Sequence, residues 1–413
     1  MEEALIIDAC RTPRGIGKIG KGALAGLHPQ HVGAAVLRAI AQRNHLKTDE
    51  VDDVIWGNGF PTGKQGNDLG RMSALDAGFN PKASGVTLHR FCGSGITAVS
   101  LAAAKIMAGM EDLVVAGGTE MMSYRASVPR DPSVPPLLDS GNTRLRARHP
   151  QTQQGICADA IATLEGIARE RLDELAYISQ QRADAAIREG RFERSLIPVY
   201  REDGTLALGH EEFPRPQTTL ETLAALQPSF EGLFDTQVSK DGPTYGELIR
   251  GVYPDLEIKH VHHAGNSSGI VDGAAAVLLA SPGYAKRNGL KARARVVAMA
   301  EMGGDPTLML NAPVPAAQKV LRKAGLTPAD IDLWEINEAF AVVAEKFICD
   351  LRLDRGKVNV NGGGIALGHP IGATGAMLIG TILDELERRD LKRGLITMCA
   401  AGGMAPAIIV ERI

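Results

Sequence analysis

The chain has 413 residues, 44% of them hydrophobic and 23% charged, with a formal net charge of −3. That apolar fraction excludes wholesale disorder, and the length fits two or three ordinary domains. A slightly acidic balance argues against a general binder of nucleic acid or anionic membranes, and no apolar run is long enough to span a bilayer. The start, Met1-Glu2-Glu3-Ala4, carries no basic segment of the secretory kind. Five scattered cysteines (10, 92, 157, 349, 399) form no CxxC pair, which speaks against a disulfide scaffold or a structural zinc site. The expected compartment is the reducing cytoplasm.

In chain order, residues 4–9 read as a buried strand, and a helical pattern follows Pro29. Residues 51–56 read as a second strand ending at Gly57. An alanine-rich helix is expected over about 96–109, then a strand over Leu113-Val114-Val115-Ala116 that ends at Gly117-Gly118. Alternating strands and helices predict an α/β fold with a mixed or parallel sheet. The second half repeats this plan at a constant offset: Val51-Asp52 answers to Ile331-Asp332, His89 to His369, and Gly95 to Gly375. Several matches in order predict duplication of one α/β unit. The strand that completes the first unit is expected at 274–279, after an insertion of about 150 residues. Early in that insertion lie Arg125, Arg130, Arg144, Arg146 and Arg148, either a solvated face or a local site for a phosphorylated ligand.

Three motifs promise more than their context supports. Gly15-Ile16-Gly17-Lys18-Ile19-Gly20 spells GxGxxG, yet no helix opens behind it to face a pyrophosphate, so it reads as a loop. Gly265-Asn266-Ser267-Ser268-Gly269 spells GxSxG, but a strand follows where a nucleophile elbow needs a helix. His260, His262 and His263 lack neighbouring ligands at metal-binding spacing; two of them are expected to alternate on one strand face.

Four other sites fall on corresponding loops. Cys92, in Arg90-Phe91-Cys92-Gly93-Ser94-Gly95, stands where a loop becomes an apolar helix, a place that favours the reactive thiolate. His369, in the glycine-rich run from Gly362 to Gly372, occupies the matching loop of the second unit. If the units pack as pseudo-twofold mates, Cys92 and His369 converge as nucleophile and base. Cys399-Ala400-Ala401-Gly402-Gly403 adds a second thiol at a strand end, and Asn337-Glu338-Ala339-Phe340 a polar pair after an apolar strand.

On these motifs, with Cys10-Arg11-Thr12-Pro13 and Gly117-Gly118-Thr119-Glu120-Met121-Met122-Ser123, the chain resembles the thiolase family over nearly its whole length. That family comprises acetyl-CoA acetyltransferases and 3-oxoacyl-CoA thiolases. The resemblance implies duplicated βαβαβαββ halves with mixed sheets in layered α/β/α/β/α packing, plus an inserted loop domain. The implied boundaries are 1–123 with 265–283 for the first half, 124–264 for the CoA-binding insertion, and 284–413 for the second half. It implies Cys92 as the acyl-carrying nucleophile, His369 as its base, and Cys399 as acid/base at the α-carbon or the CoA sulfur. Asn337 would position a water that, with His369, stabilises an enolate. The N–H groups of Cys92 and Ala401 would form an oxyanion hole, and Arg215, Ala264 and Ser268 would contact CoA. Coenzyme A would be a co-substrate, with no permanently bound cofactor and no metal. Partners would be CoA and acyl-CoA, without nucleic acid, in a homodimer or homotetramer.

The implied reaction is thiolytic cleavage of a 3-oxoacyl-CoA to acetyl-CoA and a shortened acyl-CoA, or the reverse condensation. The alternatives are a biosynthetic acetoacetyl-CoA thiolase, an inactive CoA-binding relative, or a β-ketoacyl synthase, which shares the duplicated fold. The last would carry a second histidine where Asn337 stands. Departures from the family pattern are Ala401 for glycine, His89 for asparagine, Gln153-Gln154 for His-Met, and a long stretch between Phe230 and Ala264. The long stretch predicts an acyl group larger than acetoacetyl, or else only an extended surface or subunit contact.

Overall fold

The computed structural model describes residues 2–129, 131 and 133–413. Its main sheet is ten-stranded and mixed. Across it run Leu333–Ile336, Arg393–Thr397, Met404–Arg412, Ala294–Gly303, Leu5–Arg11, Val271–Ala280, Leu113–Met121, Asp53–Gly57 and Val86–Leu88, with the short Gly15–Ile16 beside Val271–Ala280. The two expected half-sheets thus form one continuous sheet. Their junction is narrow: Leu5 pairs with Arg295 and Ile6 with Ala294.

The halves match strand for strand. Asp53–Gly57 runs parallel to Leu113–Met121, which lies antiparallel to Val271–Ala280. Leu333–Ile336 runs parallel to Arg393–Thr397, which lies antiparallel to Met404–Arg412. The correspondence extends to single hydrogen bonds. Asp52 Oδ2 accepts from the N–H groups of Asp112 (2.8 Å) and Leu113 (2.9 Å). Asp332 Oδ2 accepts from Lys392 (2.9 Å) and Arg393 (2.8 Å) in the same way. The repeat read from the sequence is therefore a repeat of contacts, and the strand expected near 274–279 lies within Val271–Ala280, between Leu5–Arg11 and Leu113–Met121.

Two helices cross at the centre, Ser94–Met107 from the first half and Ile371–Arg388 from the second, and both are buried along most of their length. Glycines let their backbones meet. A Cβ on Gly95 would stand 2.9 Å from the nitrogens of Gly375 and Ala376, and one on Gly375 would collide with Ile96 N. The start of the second helix presses equally close to the sheet, where a Cβ on Gly57 would lie 2.7 Å from Gly372 O. Real Cβ atoms do not tolerate such contacts, so these glycines fix how deeply the Ile371 helix can sit. Gly375→Ala should lower stability by at least about 2 kcal/mol through forced separation of the two helices. Urea unfolding of the variant measures it; an unchanged midpoint would contradict the close crossing.

Candidate active site

Cys92 lies two residues before the Ser94 helix and is 6% exposed. Phe91 holds a left-handed φ of 48°, rare for an aromatic residue, and packs edge-on against His89 with ring centroids 4.5 Å apart. Ser94 Oγ accepts from Arg90 N at 2.9 Å and donates to Phe91 O at 2.6 Å, which locks this kinked turn. The sequence alone predicts a thiolate here. Burial instead pushes the Cys92 thiol up to about 11, and the Glu120 carboxylate adds to the rise. Arg125 and the N–H groups of Cys92 and Ala401 pull the other way without overcoming it. Desolvation outweighs the helix terminus, and the resting nucleophile is a thiol.

His369 is buried between the helix Gly364–Leu367 and the Ile371 helix, and its N–H donates to Gly269 O at 2.9 Å. Its Nδ1 lies 2.7 Å from Thr374 Oγ1. The Thr374 hydroxyl spends its proton on Pro370 O at 3.0 Å, so Nδ1 must be the donor. Nε2 is left bare, buried, and without a hydrogen-bond partner among the described residues. Burial, and secondarily the Arg14 guanidinium, hold the imidazole down to about 3. His369 is therefore neutral at physiological pH and presents a lone pair.

Asn337 is 1% exposed, and its side-chain oxygen and nitrogen both lack partners among the described residues. Unpaired buried amides are costly unless a ligand completes them. The glycine run is what admits the chain over this side chain: a Cβ on Gly364 would lie 2.9 Å from Asn337 Oδ1. Cys399 is 1% exposed and its thiol too is pushed far up by burial, with a further contribution from Cys92 beside it. The following loop closes tightly, Ala400 N donating to Met404 O (2.7 Å) and Met404 N to Ala400 O (3.1 Å). Gly402 and Gly403 both take φ of 80°, whereas Ala401 is not among the positive-φ residues, so its methyl sits without backbone strain. Its N–H reaches the Cys92 sulfur.

Glu120, Thr374 and Arg14 belong to this site although sequence reasoning did not single them out for it. Glu120 is fully buried and accepts from Gly59 N (2.6 Å), Gln65 Nε2 (3.1 Å) and Gly372 N (3.0 Å). It pins the His369 loop of one half to the strand ends of the other. Only the Thr374 spacing, five residues after the histidine at the start of a helix, was available as a signal.

About the insertion, Arg215, Ala264 and Gly265 share the lining of a cleft of about 280 Å³ with Thr218, Thr222 and Ile365. Arg215 stacks over Phe213 at 5.4 Å. Ser268 lies on the adjoining loop, its N–H bonded to Ala339 O at 3.0 Å, and the buried Ser267 Oγ has no partner among the described residues. The arginines at 125–148 do not form one site. Arg146 makes a bidentate pair with Asp139 (2.8 Å each) and Arg125 stacks on Phe60, while Arg130 lies outside the described residues. The histidine triplet is not on a strand. His260 and His262 each place Nδ1 2.8 Å from Asp159, and His263 places Nε2 2.8 Å from Asp173. Those carboxylates come from the helices Gln154–Leu164 and Arg169–Arg188, too distant in sequence for local spacing to reveal.

Two neighbouring thiols, an N–H donor at the Cys92 sulfur, a bare imidazole nitrogen and an unpaired amide suit acyl transfer through a cysteine. Family models for the thiolase N-terminal and C-terminal domains match residues 4–237 and 290–412. The chain belongs to the thiolase family. It is 39% identical over 422 residues to an acetyl-CoA acetyltransferase of Thiocystis violacea, covering 99% of each chain. It is 40% identical to a steroid 3-ketoacyl-CoA thiolase of Mycobacterium tuberculosis, covering 100% of this chain and 95% of that one. The crystal structure of a Bacillus anthracis acetyl-CoA acetyltransferase superposes with a TM-score of 0.83 at 33% identity, over 100% and 99% of the two chains.

This thiolase should show a Cys92 whose alkylation by iodoacetamide speeds up about tenfold per pH unit from 6 to 9, as a thiol titrating near 11 requires. A plateau near neutrality would mean a preformed thiolate.

Proposed function

We propose that this thiolase-class acyltransferase works mainly in degradation, cleaving 3-oxoacyl-CoA substrates larger than acetoacetyl-CoA. Cys92 Sγ attacks the 3-oxo carbon while His369 Nε2 takes the thiol proton. The N–H groups of Cys92 and Ala401 hold the developing oxyanion, a contribution of about 3 kcal/mol per donor in comparable sites. The C2–C3 bond breaks, leaving the acyl group on Cys92 and the electron pair on the acetyl-CoA enolate. His369, now carrying a proton on Nε2, and Asn337 face the enolate oxygen, and the Cys399 thiol protonates its carbon. The Cys399 thiolate then takes the thiol proton of a second CoA, whose sulfur attacks the Cys92 thioester; the departing Cys92 thiolate recovers its proton from His369, and the shortened acyl-CoA leaves. CoA is a substrate throughout. Support for its placement comes from the cleft shared by Arg215 and Ala264.

The unpartnered buried atoms of Asn337 and His369, together with the Cys92 and Cys399 thiols that lie beside each other, support this reading. They also weigh against an inactive relative, as does the unstrained Ala401.

Substrate size rests on the stretch after Phe230. It forms the helices Glu231–Phe234 and Tyr245–Arg250, and its Phe234, Val238, Tyr245, Leu248 and Ile249 enter the same hydrophobic core as Ile156, Leu308, Met309, Cys399 and Ala401. Phe230 itself packs on Gly155 and, edge-on, on Phe340 at 5.8 Å. This packing supports a structural link between the stretch and the core beneath the site. Similarity alone does not choose a substrate, because relatives named for acetyl and for steroid substrates are almost equally near.

A second copy of the chain fits the outer edge of Val86–Leu88, which ends the sheet with Val86 43% exposed. An unpaired edge of this kind invites strand addition. We propose a homodimer on this edge, alone or within a tetramer.

Incubation with a 3-oxoacyl-CoA should add the acyl mass to the Cys92 peptide, and Cys399→Ser should still acquire it while failing to exchange the α-protons of acetyl-CoA with deuterated solvent. Adducts found only elsewhere, or normal exchange in the variant, would overturn the assignments. Across a substrate panel, kcat/KM should favour medium-chain or cyclic 3-oxoacyl-CoA over acetoacetyl-CoA by at least about tenfold, equivalent to little more than 1 kcal/mol of pocket contact. The opposite preference would identify a biosynthetic acetoacetyl-CoA enzyme.

A further inference from the structure

The stretch after Phe230 also reaches the scaffold of the catalytic loop. Tyr253, just past the helix Tyr245–Arg250, donates its hydroxyl to Asp305 Oδ2 at 2.5 Å. Asp305 opens the turn that leaves the strand Ala294–Gly303. Its Oδ1 accepts from Thr307 N at 2.8 Å and its carbonyl from Met309 N at 3.0 Å. Met309 takes a left-handed φ of 61°, and Leu310 N donates across it to Leu308 O at 2.6 Å. That is a γ-turn of the strained hand, which persists only where its surroundings hold it.

The same turn grips the Cys399 loop. Gly304 N donates to Gly403 O at 2.7 Å, and a Cβ on Gly403 would stand 2.8 Å from Asp305 O. Gly403 closes the loop that carries Ala401. An unbroken series of hydrogen bonds and close contacts therefore runs from Tyr253 through Asp305 and Gly304 to Gly403, two residues from the N–H that faces the nucleophile.

We propose that Tyr253 is a positioning residue for the oxyanion-binding loop: through Asp305 it holds the 304–310 turn against Gly403 and so sets the direction of the Ala401 N–H. This takes the roles of Cys92 and Ala401 as proposed above. It gives the additional stretch a catalytic purpose beyond filling space, since a residue of it holds the turn that grips the Cys399 loop.

Tyr253→Phe keeps the ring and removes only the hydroxyl. Thiolysis by the variant should show kcat reduced about tenfold, the scale of a small misalignment in a preorganised site. KM for CoA and the melting temperature should stay near wild type. Asp305→Asn, which retains an acceptor for the hydroxyl, should keep more activity than Asp305→Ala. Unchanged kcat in Tyr253→Phe, or a parallel fall in kcat, melting temperature and CoA affinity, would overturn the positioning role. A wild-type enzyme that forms no acyl adduct at Cys92 would instead sink the proposed mechanism itself.

Discussion

Two helix backbones can touch only where side chains are missing, and the site depends on one such crossing. Gly95 and Gly375 occupy the same position in the two halves, and each leaves room for the backbone of the other's helix. Cys92 precedes one helix and His369 the other, so the depth of the crossing sets the separation of these two side chains. Glu120 then fixes the remaining freedom by bonding Gly59 N and Gly372 N across the seam. Hydrophobic burial alone would not specify this geometry; the absence of Cβ atoms does.

The electrostatics of the site follow from its dryness. Sequence position puts Cys92 near a helix N-terminus, whose field is worth about 1 kcal/mol at an exposed site. Burial opposes it with a larger effect, and the thiol rises to about 11 while the imidazole falls to about 3. Both groups are thus driven toward their uncharged forms by the same burial.

Much of this was legible from residues alone. The repeat offset found Gly95 opposite Gly375 and His89 opposite His369, because duplicated backbone constraints preserve glycines and turns. Cys92, His369 and Cys399 stood out because each lies in a loop with glycines beside it, and Asn337 because a polar pair follows an apolar strand there. Thr374 offered only its spacing from His369, since a threonine in the first turn of a helix is ordinary until the histidine's ring nitrogen is located. The pairing of His260 and His262 with Asp159 was invisible for a different reason: the partners lie about a hundred residues away. The half-sheets join through two residue pairs at Leu5 and Ile6. No local pattern announces so short a junction.

The uncharged state of the two active-site thiols has a chemical corollary. Peroxide and related oxidants react with thiolate far faster than with thiol, and sulfenic acid forms where a cysteine is both ionised and accessible. Cys92 and Cys399 are neither, being buried and held in the protonated form. Desolvation thus holds both sulfurs in the form that oxidants attack slowly.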